Sequence, residues 1–364
     1  MTMFQHRLEN SGIDRNRIIA INLEDLAFAD LKDPSKLNNY ILSKTEPSKK
    51  TYLFIDEVQN VDNFQLVVDS LFLKKNLDIY LTGSNAYILS GELATHLSGR
   101  YITIDMLPLS FSEYVLWTGD TTDLFSKYRN YLQTSSFPYV TNIQEDQGAV
   151  ERYLSGIYNT VVLKDVSGRL ANPAPMMLES IIKFIFSNIG SSLSTNKIAN
   201  TMTSQGRKIN VRTVEKYVEA LKDSYIIYQA DRYDIKGKQH LKTLEKYYVV
   251  DIGLRFALLG RREYDAGHIL ENIVYLELIR RGYRVYVGKV DANEVDFVAA
   301  NSDGTHYYQV AATVRDENTL KRELLSLQKI KDSYPKTLLT LDDDPDADYD
   351  GIYRKNAIEW LMNY

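Results

Sequence analysis

Two adjacent carboxylates end the run from Tyr52 to Gln59 (YLFIDEVQ), where Asp56 and Glu57 follow the apolar stretch Leu53-Phe54-Ile55. In a doubly wound sheet, ligands sit beyond the carboxyl ends of the strands. An Asp at that place can hold Mg²⁺ through water, and a neighbouring Glu can orient the water that attacks in phosphoryl transfer. The bland alternative is a buried strand that happens to end in acids, and the tetrapeptide alone does not decide. A second apolar run, Asp78 to Gly83 (DIYLTG), ends in the small polar residues Ser84 and Asn85.

A second constellation lies near the C-terminus. Glu271 falls in a predicted helix, Asp296 in a predicted strand (Glu294-Val295-Asp296-Phe297), and Gln309 in the next strand (Tyr308-Gln309-Val310-Ala311). This layout is similar to a restriction-endonuclease-like fold. Active members of that class carry an Asp on one strand and Glu (or Gln)-x-Lys on the next, where the carboxylates bind Mg²⁺ and the Lys helps activate water. By that resemblance Asp296 and Gln309 are metal ligands and Glu271 a further one. Ala311 stands where the Lys belongs, so the competing expectation is a polar pocket in a retained fold.

The run from Tyr52 to Tyr114, with Gly99-Arg100-Tyr101 and LPLSFSEY at Leu107 to Tyr114, resembles prokaryotic AAA-type (AAA+ superfamily) ATPases that end in a C-terminal domain of unknown function. The resemblance extends over nearly the whole chain. It implies ATP and Mg²⁺ as cofactors, Asp56 and Glu57 as the Walker B pair, and Ser84 and Asn85 as the γ-phosphate sensor. It makes Arg100 an arginine that acts on a phosphate, with an ordinary salt bridge as the alternative. One departure is large. A phosphate-binding loop needs G-x-x-x-x-G-K-[ST], whose amides and Lys cradle the phosphates. Neither Gly-Lys-Ser nor Gly-Lys-Thr occurs here: Gly237-Lys238 precedes Gln239, and Gly288-Lys289 precedes Val290. In the family the loop lies just before the helix that Met3–Leu8 continues. The first strand and loop are therefore expected to be missing from the front, by truncation or by decay, and ATP binding is expected to be weak or absent.

The elements that must position these residues follow from periodicity. Ile18–Leu23, Tyr52–Asp56, Asp78–Gly83 and Tyr101–Asp105 read as strands, with helices over Pro34–Thr45 and Asn63–Leu73. Continuous apolar β-branched runs suit parallel strands covered on both faces, and the alternating order predicts an α/β fold with a parallel P-loop-NTPase-like sheet. Ser110 to Ile189 reads as helical, with breaks near Phe137-Pro138 and Asn172–Pro175. Residues 190–249 read as helix, turn, helix and hairpin, the order of a winged helix-turn-helix. Between Gly190 and Lys246 there are 11 Lys and Arg against 6 Asp and Glu, whereas the chain carries a net charge of -5. Arg212 and Lys216 on Val211–Ser224, with Lys236 and Lys238 on the wing, are the nucleic-acid candidates. Glu215, Glu219 and Asp223 share that helix and repel phosphate, so a protein contact competes with DNA. Residues 266–364 read as a small α/β module, with the Asp-rich stretch Asp342 to Asp350 as a solvated loop. The expected domains are 1–117 (partial ATPase core), 118–189 (helical extension), 190–260 (winged helix) and 261–364 (restriction-endonuclease-like).

Composition bounds the rest. The chain has 364 residues, 44% hydrophobic and 25% charged, and no cysteine. Disulfides, thiolate catalysis and cysteine-based zinc sites are excluded. No apolar run approaches the roughly 20 residues of a membrane span, and no signal core opens the chain. A reducing cytoplasm is the simplest compartment. The five histidines stand singly, without the i, i+4 pairing of zinc helices. The reading is an ATPase-family protein that couples nucleotide state to a protein partner or DNA. Its alternatives are a winged-helix DNA-binding regulator without turnover, a degenerate metal-dependent nuclease, and a remnant with a purely interaction role.

Overall fold

A computed structural model describes residues 1–83, 99–119, 121–170, 173–260 and 265–363. The chain divides into two compact units, Met1–Asp105 and Met106–Tyr364. No described helix is long and apolar enough to cross a membrane.

The first unit contains α1 (Thr2–Asn10), β1 (Ile18–Asn22), α2 (Pro34–Lys44), β2 (Thr51–Asp56), α3 (Phe64–Phe72) and β3 (Leu77–Leu81). The three strands pair in parallel in the order β1-β2-β3. Asp33 caps α2 by accepting from the Lys36 amide, and Pro34 opens the helix where no amide is needed. Ile19, Ile21, Leu53 and Ile55 pack on one side against Leu37 and Ile41 of α2 and Val67 and Leu71 of α3. Phe54 stacks on Tyr80 at 4.8 Å, and Phe4 of α1 meets Tyr80 edge-on at 5.1 Å. The expected fourth strand, Tyr101–Asp105, is a correction: the segment is irregular and joins no ladder. Its Ile102 and Ile104 are exposed, so the alternation that reads as a strand buries nothing. β3 is therefore the edge of the sheet among the described residues.

The second unit opens with α4 (Phe111–Thr118), α5 (Leu124–Thr134), α6 (Gln147–Ile157) and α7 (Pro175–Ser187). Ser110 and Glu113 form a capping box at α4. Then come β4 (Ser192–Leu193), α8 (Thr195–Ser204), α9 (Val211–Asp223), β5 (Ile227–Asp234), β6 (Gln239–Val249), α10 (Ile252–Leu259), α11 (Ala266–Arg280), β7 (Arg284–Val290), β8 (Asn293–Asn301), β9 (Gly304–Ala311), α12 (Glu317–Gln328), β10 (Lys336–Thr340), β11 (Ala347–Tyr349), β12 (Ile352–Asn356) and α13 (Ala357–Met362). The helix, helix, hairpin order is present, but the hairpin is not a free wing. All nine strands form one sheet, in the order β11-β12-β10-β9-β8-β7-β5-β6-β4. The seam is the parallel pairing of Arg232–Asp234 with Val287–Lys289. Gly288 at this seam admits no larger residue, because a Cβ would lie 2.9 Å from Val295 and Val298 and 3.0 Å from Ile235. The segments expected as separate domains at 118–189, 190–260 and 261–364 thus share one unit and one large core.

The Asp-rich stretch is also corrected. It carries β11, which pairs antiparallel with β12. Asp342 is buried, accepting from the Thr313 hydroxyl at 2.6 Å and the Val314 amide at 2.8 Å.

Two buried side chains lock the helices to the sheet. Asp251 accepts from the Ser136 amide at 2.7 Å and hydroxyl at 2.6 Å, and from the Leu254 amide at 2.6 Å, which caps α10. Asn272 of α11 grips the Val249 backbone of β6, accepting from its amide at 2.8 Å and donating to its carbonyl at 2.9 Å. Leucine at that position fills similar space but leaves both backbone groups unmatched. We expect Asn272→Leu to cost about 1–3 kcal/mol of stability, read by urea denaturation.

Candidate functional site

Parallel register sets the first site. Ile55 lies opposite Leu81, so the chain leaves β2 at Asp56 and β3 at Thr82 side by side. The Thr82 hydroxyl donates to Asp56 Oδ1 and accepts from the Glu57 amide at 3.3 Å. The Val58 amide donates to the Thr82 carbonyl at 3.0 Å. Glu57 has a left-handed backbone, φ 56°, a conformation that costs a non-glycine residue about 1–3 kcal/mol. This turn carries Glu57 out of the strand, where its carboxylate accepts from the Gln59 side chain. Both acids are half-buried. The result is two carboxylates and a hydroxyl at the carboxyl edge of a parallel sheet, an arrangement that can hold a hydrated cation and orient water.

Thr82 was not singled out by the sequence reasoning, which passed over it for Ser84 and Asn85. Its signal was available: it is the first residue past the β3 apolar run, in register with Asp56. Ser84 and Asn85 themselves lie outside the described residues. Arg100 is engaged by side chains of α3. It pairs with Asp69 of α3 at 3.5 Å and lies over the Phe72 ring at 5.4 Å.

The basic candidates do not form one patch. Arg212 and Lys216 are exposed on α9, but so are Glu215 and Glu219 on the same helix. Lys216 lines an open groove of about 530 Å³ with Arg169, Thr213 and Asp223. Lys238 is exposed in the hairpin turn. Lys236 is tied to Asp291 at 2.6 Å, and this pairing draws its charge away from a phosphate.

The C-terminal acids do come together, around a lysine that the sequence reasoning did not name. Lys246 of β6 places its Nζ 2.8 Å from Glu271 of α11, 2.8 Å from Glu294 and 3.5 Å from Asp296, both of β8. Glu271 also accepts from the Tyr248 hydroxyl at 2.6 Å, and His268 Nδ1 lies 3.6 Å away. Asp296 Oδ2 accepts from the Val310 amide at 2.9 Å. Gln309 is turned to other work. Its oxygen accepts from the Asp296 amide and the Ser326 hydroxyl, and its nitrogen donates to Glu323 at 2.8 Å. The expected metal set of Glu271, Asp296 and Gln309 is therefore not assembled. Among the described residues no group of three or more acids and histidines is arranged to hold a metal ion. Nothing in the sequence near Lys246 announces this role, because its partners lie 25 to 50 residues downstream.

Burial drives Lys246 toward neutrality, but Glu271, Asp296 and Glu294 outweigh it and hold the ammonium above its usual range. Glu271 is lowered: burial raises it, and Lys246, His268 and Tyr248 together overcome that. Asp296 is pushed up to about 7, first by burial and then by the charge of Glu271, against the pull of Lys246.

Comparison with known proteins shows what the chain is similar to. Residues 1–115 match an AAA domain family, and residues 125–265 match a domain of unknown function. An uncharacterised protein of Haemophilus influenzae is 38% identical over 369 aligned positions, covering 100% of this chain and 90% of that protein. An uncharacterised protein of Methanocaldococcus jannaschii is 29% identical, covering 87% of this chain and 74% of its own length. A solved structure titled as the Walker-type ATPase of Pyrococcus abyssi covers 71% of this chain and 74% of its own, with 13% identity and a TM-score of 0.40.

The Asp296 shift has a definite sign. Its folded pKa lies above the ordinary value of 3.8, so between about pH 4 and 7 the folded state holds a proton that the unfolded state has released. Its contribution to stability is full below that window and is lost as pH rises through it. We expect the stability of the protein relative to Asp296→Asn to fall across this window and to level off above it. Denaturation midpoints measured at pH 4.5, 6 and 8 check this, and a difference that rises with pH contradicts it.

Proposed function

The chain belongs to the same family as the Haemophilus influenzae protein, and from that premise we propose that it is a nucleotide-dependent, AAA-type ATPase protein in which Asp56, Glu57 and Thr82 form the magnesium- and water-facing half of a nucleotide site. The observation that carries this is the contact of the Thr82 hydroxyl with Asp56 at the carboxyl edge of β2 and β3, within the residues that match the AAA domain. The donor set suits a hydrated Mg²⁺ with a triphosphate. A bound nucleotide would bring the phosphoanhydride, and the metal would neutralise its developing charge. Asp56 would hold such a hydrated ion, Thr82 fixes the Asp56 carboxylate through its hydroxyl, and Glu57 would align the attacking water. Arg100, Ser84 and Asn85 remain candidates for the γ-phosphate side.

The phosphate-binding loop is the other half, and these 364 residues contain no Gly-Lys-Ser or Gly-Lys-Thr. The open edge of β3 is where a further parallel strand would set such a loop beside Asp56. We expect ATP with Mg²⁺ to bind this chain with an affinity of roughly millimolar order, and Asp56→Ala to remove the magnesium dependence. Calorimetric titration decides: micromolar affinity sinks the half-site reading, and an identical titration with Asp56→Ala sinks the assignment of the acids.

The second unit is proposed as the partner-facing part. The mixed charge of the exposed α9 face supports a protein contact over nucleic acid, since Glu215 and Glu219 stand among Arg212 and Lys216. Changing Arg212 and Lys216 together to Gln is expected to alter duplex-DNA retention less than about threefold at 0.15 M salt, where the few phosphate contacts of this face are largely screened. A loss of tenfold or more, steepening at low salt, would restore the DNA-binding regulator.

A further inference from the structure

The acidic centre of the second unit has a cation built into it. Glu271, Glu294 and Asp296 point their oxygens at one place, and the Lys246 ammonium occupies that place at 2.8, 2.8 and 3.5 Å. A divalent ion would need oxygen ligands at about 2.0–2.6 Å around the same point, and it would have to displace the ammonium to reach them. Gln309 has no free oxygen to offer, and Asp296 has one only, Oδ1, which faces the Lys246 ammonium at 3.5 Å. The Gln309 oxygen is used by the Asp296 amide and Ser326, and one Asp296 oxygen by the Val310 amide.

Access points the same way. The side chains of Lys246, Glu271 and Asp296 are 4%, 7% and 11% exposed, and Glu294 35%. The backbone closes over them at Gly190, which has φ +67°. A Cβ there would lie 2.8 Å from His268 Nδ1 and 3.0 Å from Glu271 Oε2, so only glycine permits the approach. The Gly190 amide is held to the Tyr247 carbonyl at 3.2 Å, one residue from Lys246. Gly190 thus closes the Glu271 side of the centre, and Glu294 is its most exposed member.

The lysine also arrives from an unexpected strand. The sequence pattern calls for it on β9, two residues past Gln309, where Ala311 stands. Lys246 comes from β6, on the far side of β7 and β5 in the sheet order. A residue from elsewhere in the fold has entered the space that both a metal and a strand lysine would share.

We infer that Lys246 is the permanent cation of this centre, standing in for a divalent metal and for the lysine missing from β9, so that the C-terminal module holds no divalent ion there and does not cleave phosphodiesters. The same contacts pin β6 to α11 and β8, so the ammonium acts as a staple between the hairpin and the rest of the sheet.

Manganese tests this directly on the full chain. Wild-type protein is expected to show the same thermal midpoint in manganese and in EDTA, no manganese binding by water-proton relaxation, and no nicking of supercoiled plasmid. Lys246→Met vacates the place among the acids. It is expected to gain a rise of several degrees in manganese, and this rise is lost when Asp296→Asn is added. If Lys246→Met does not fold in EDTA, recovery of folding by manganese is the supporting result. Three outcomes overturn the inference: micromolar manganese binding by wild type that Asp296→Asn abolishes, metal-dependent nicking by wild type that Asp296→Asn abolishes, or a Lys246→Met protein on which manganese has no effect.

Discussion

The second unit depends on two neighbouring residues of one helix holding one strand. Glu271 and Asn272 of α11 both reach β6, one through the Lys246 ammonium and the Tyr248 hydroxyl, the other through both backbone groups of Val249. A helix normally meets a sheet through apolar side chains, which slide at little cost. Here buried polar contacts are added to the apolar ones, and each polar group has one arrangement that leaves nothing unmatched. That fixes the register of β6 against α11, and β6 carries β5 to its pairing with β7. A buried ion pair contributes little net stability, because desolvation offsets the attraction, but loss of one partner is costly. The cluster therefore acts more on which structure forms than on how stable it is.

Much of this was legible in the sequence, for reasons that differ by residue. The parallel core was visible because Ile18–Asn22, Thr51–Asp56 and Leu77–Leu81 are apolar runs too continuous for a half-exposed strand. The acids at Asp56 and Glu57 were visible because a strand end is a position that sequence marks. Tyr101–Asp105 has the same composition, yet no neighbour pairs with it among the described residues. A strand needs a partner, and propensity alone cannot supply one. The hairpin at residues 227–249 was read correctly as two strands, but not as part of a larger sheet. Three pairings to β7 made the difference, and those depend on residues about 55 positions away.

The sites were legible to a similar degree. Sequence named Asp56 and Glu57 but missed Thr82, since a threonine just past an apolar run reads as the end of a strand until the register shows it beside Asp56. It named Glu271, Asp296 and Gln309 but gave Gln309 to a metal and left Lys246 unused. Pattern matching searches for a lysine where the strand order expects it. Space asks only that an ammonium arrive, and here one arrives from another strand.

The reach of Lys246 along the chain bears on how the protein is made. Its three carboxylate partners stand at positions 271, 294 and 296. A chain emerging from the ribosome exposes the hairpin well before these acids exist. Until β8 has been synthesised, Lys246 stays a hydrated ammonium and the hairpin lacks the neighbour that completes its sheet. Domains that fold as they emerge do so in order from the N-terminus. This one cannot close in that order, because its midpoint waits for its end. The hairpin is thus a stretch of nascent chain that waits, with an unpaired edge, for strands made later.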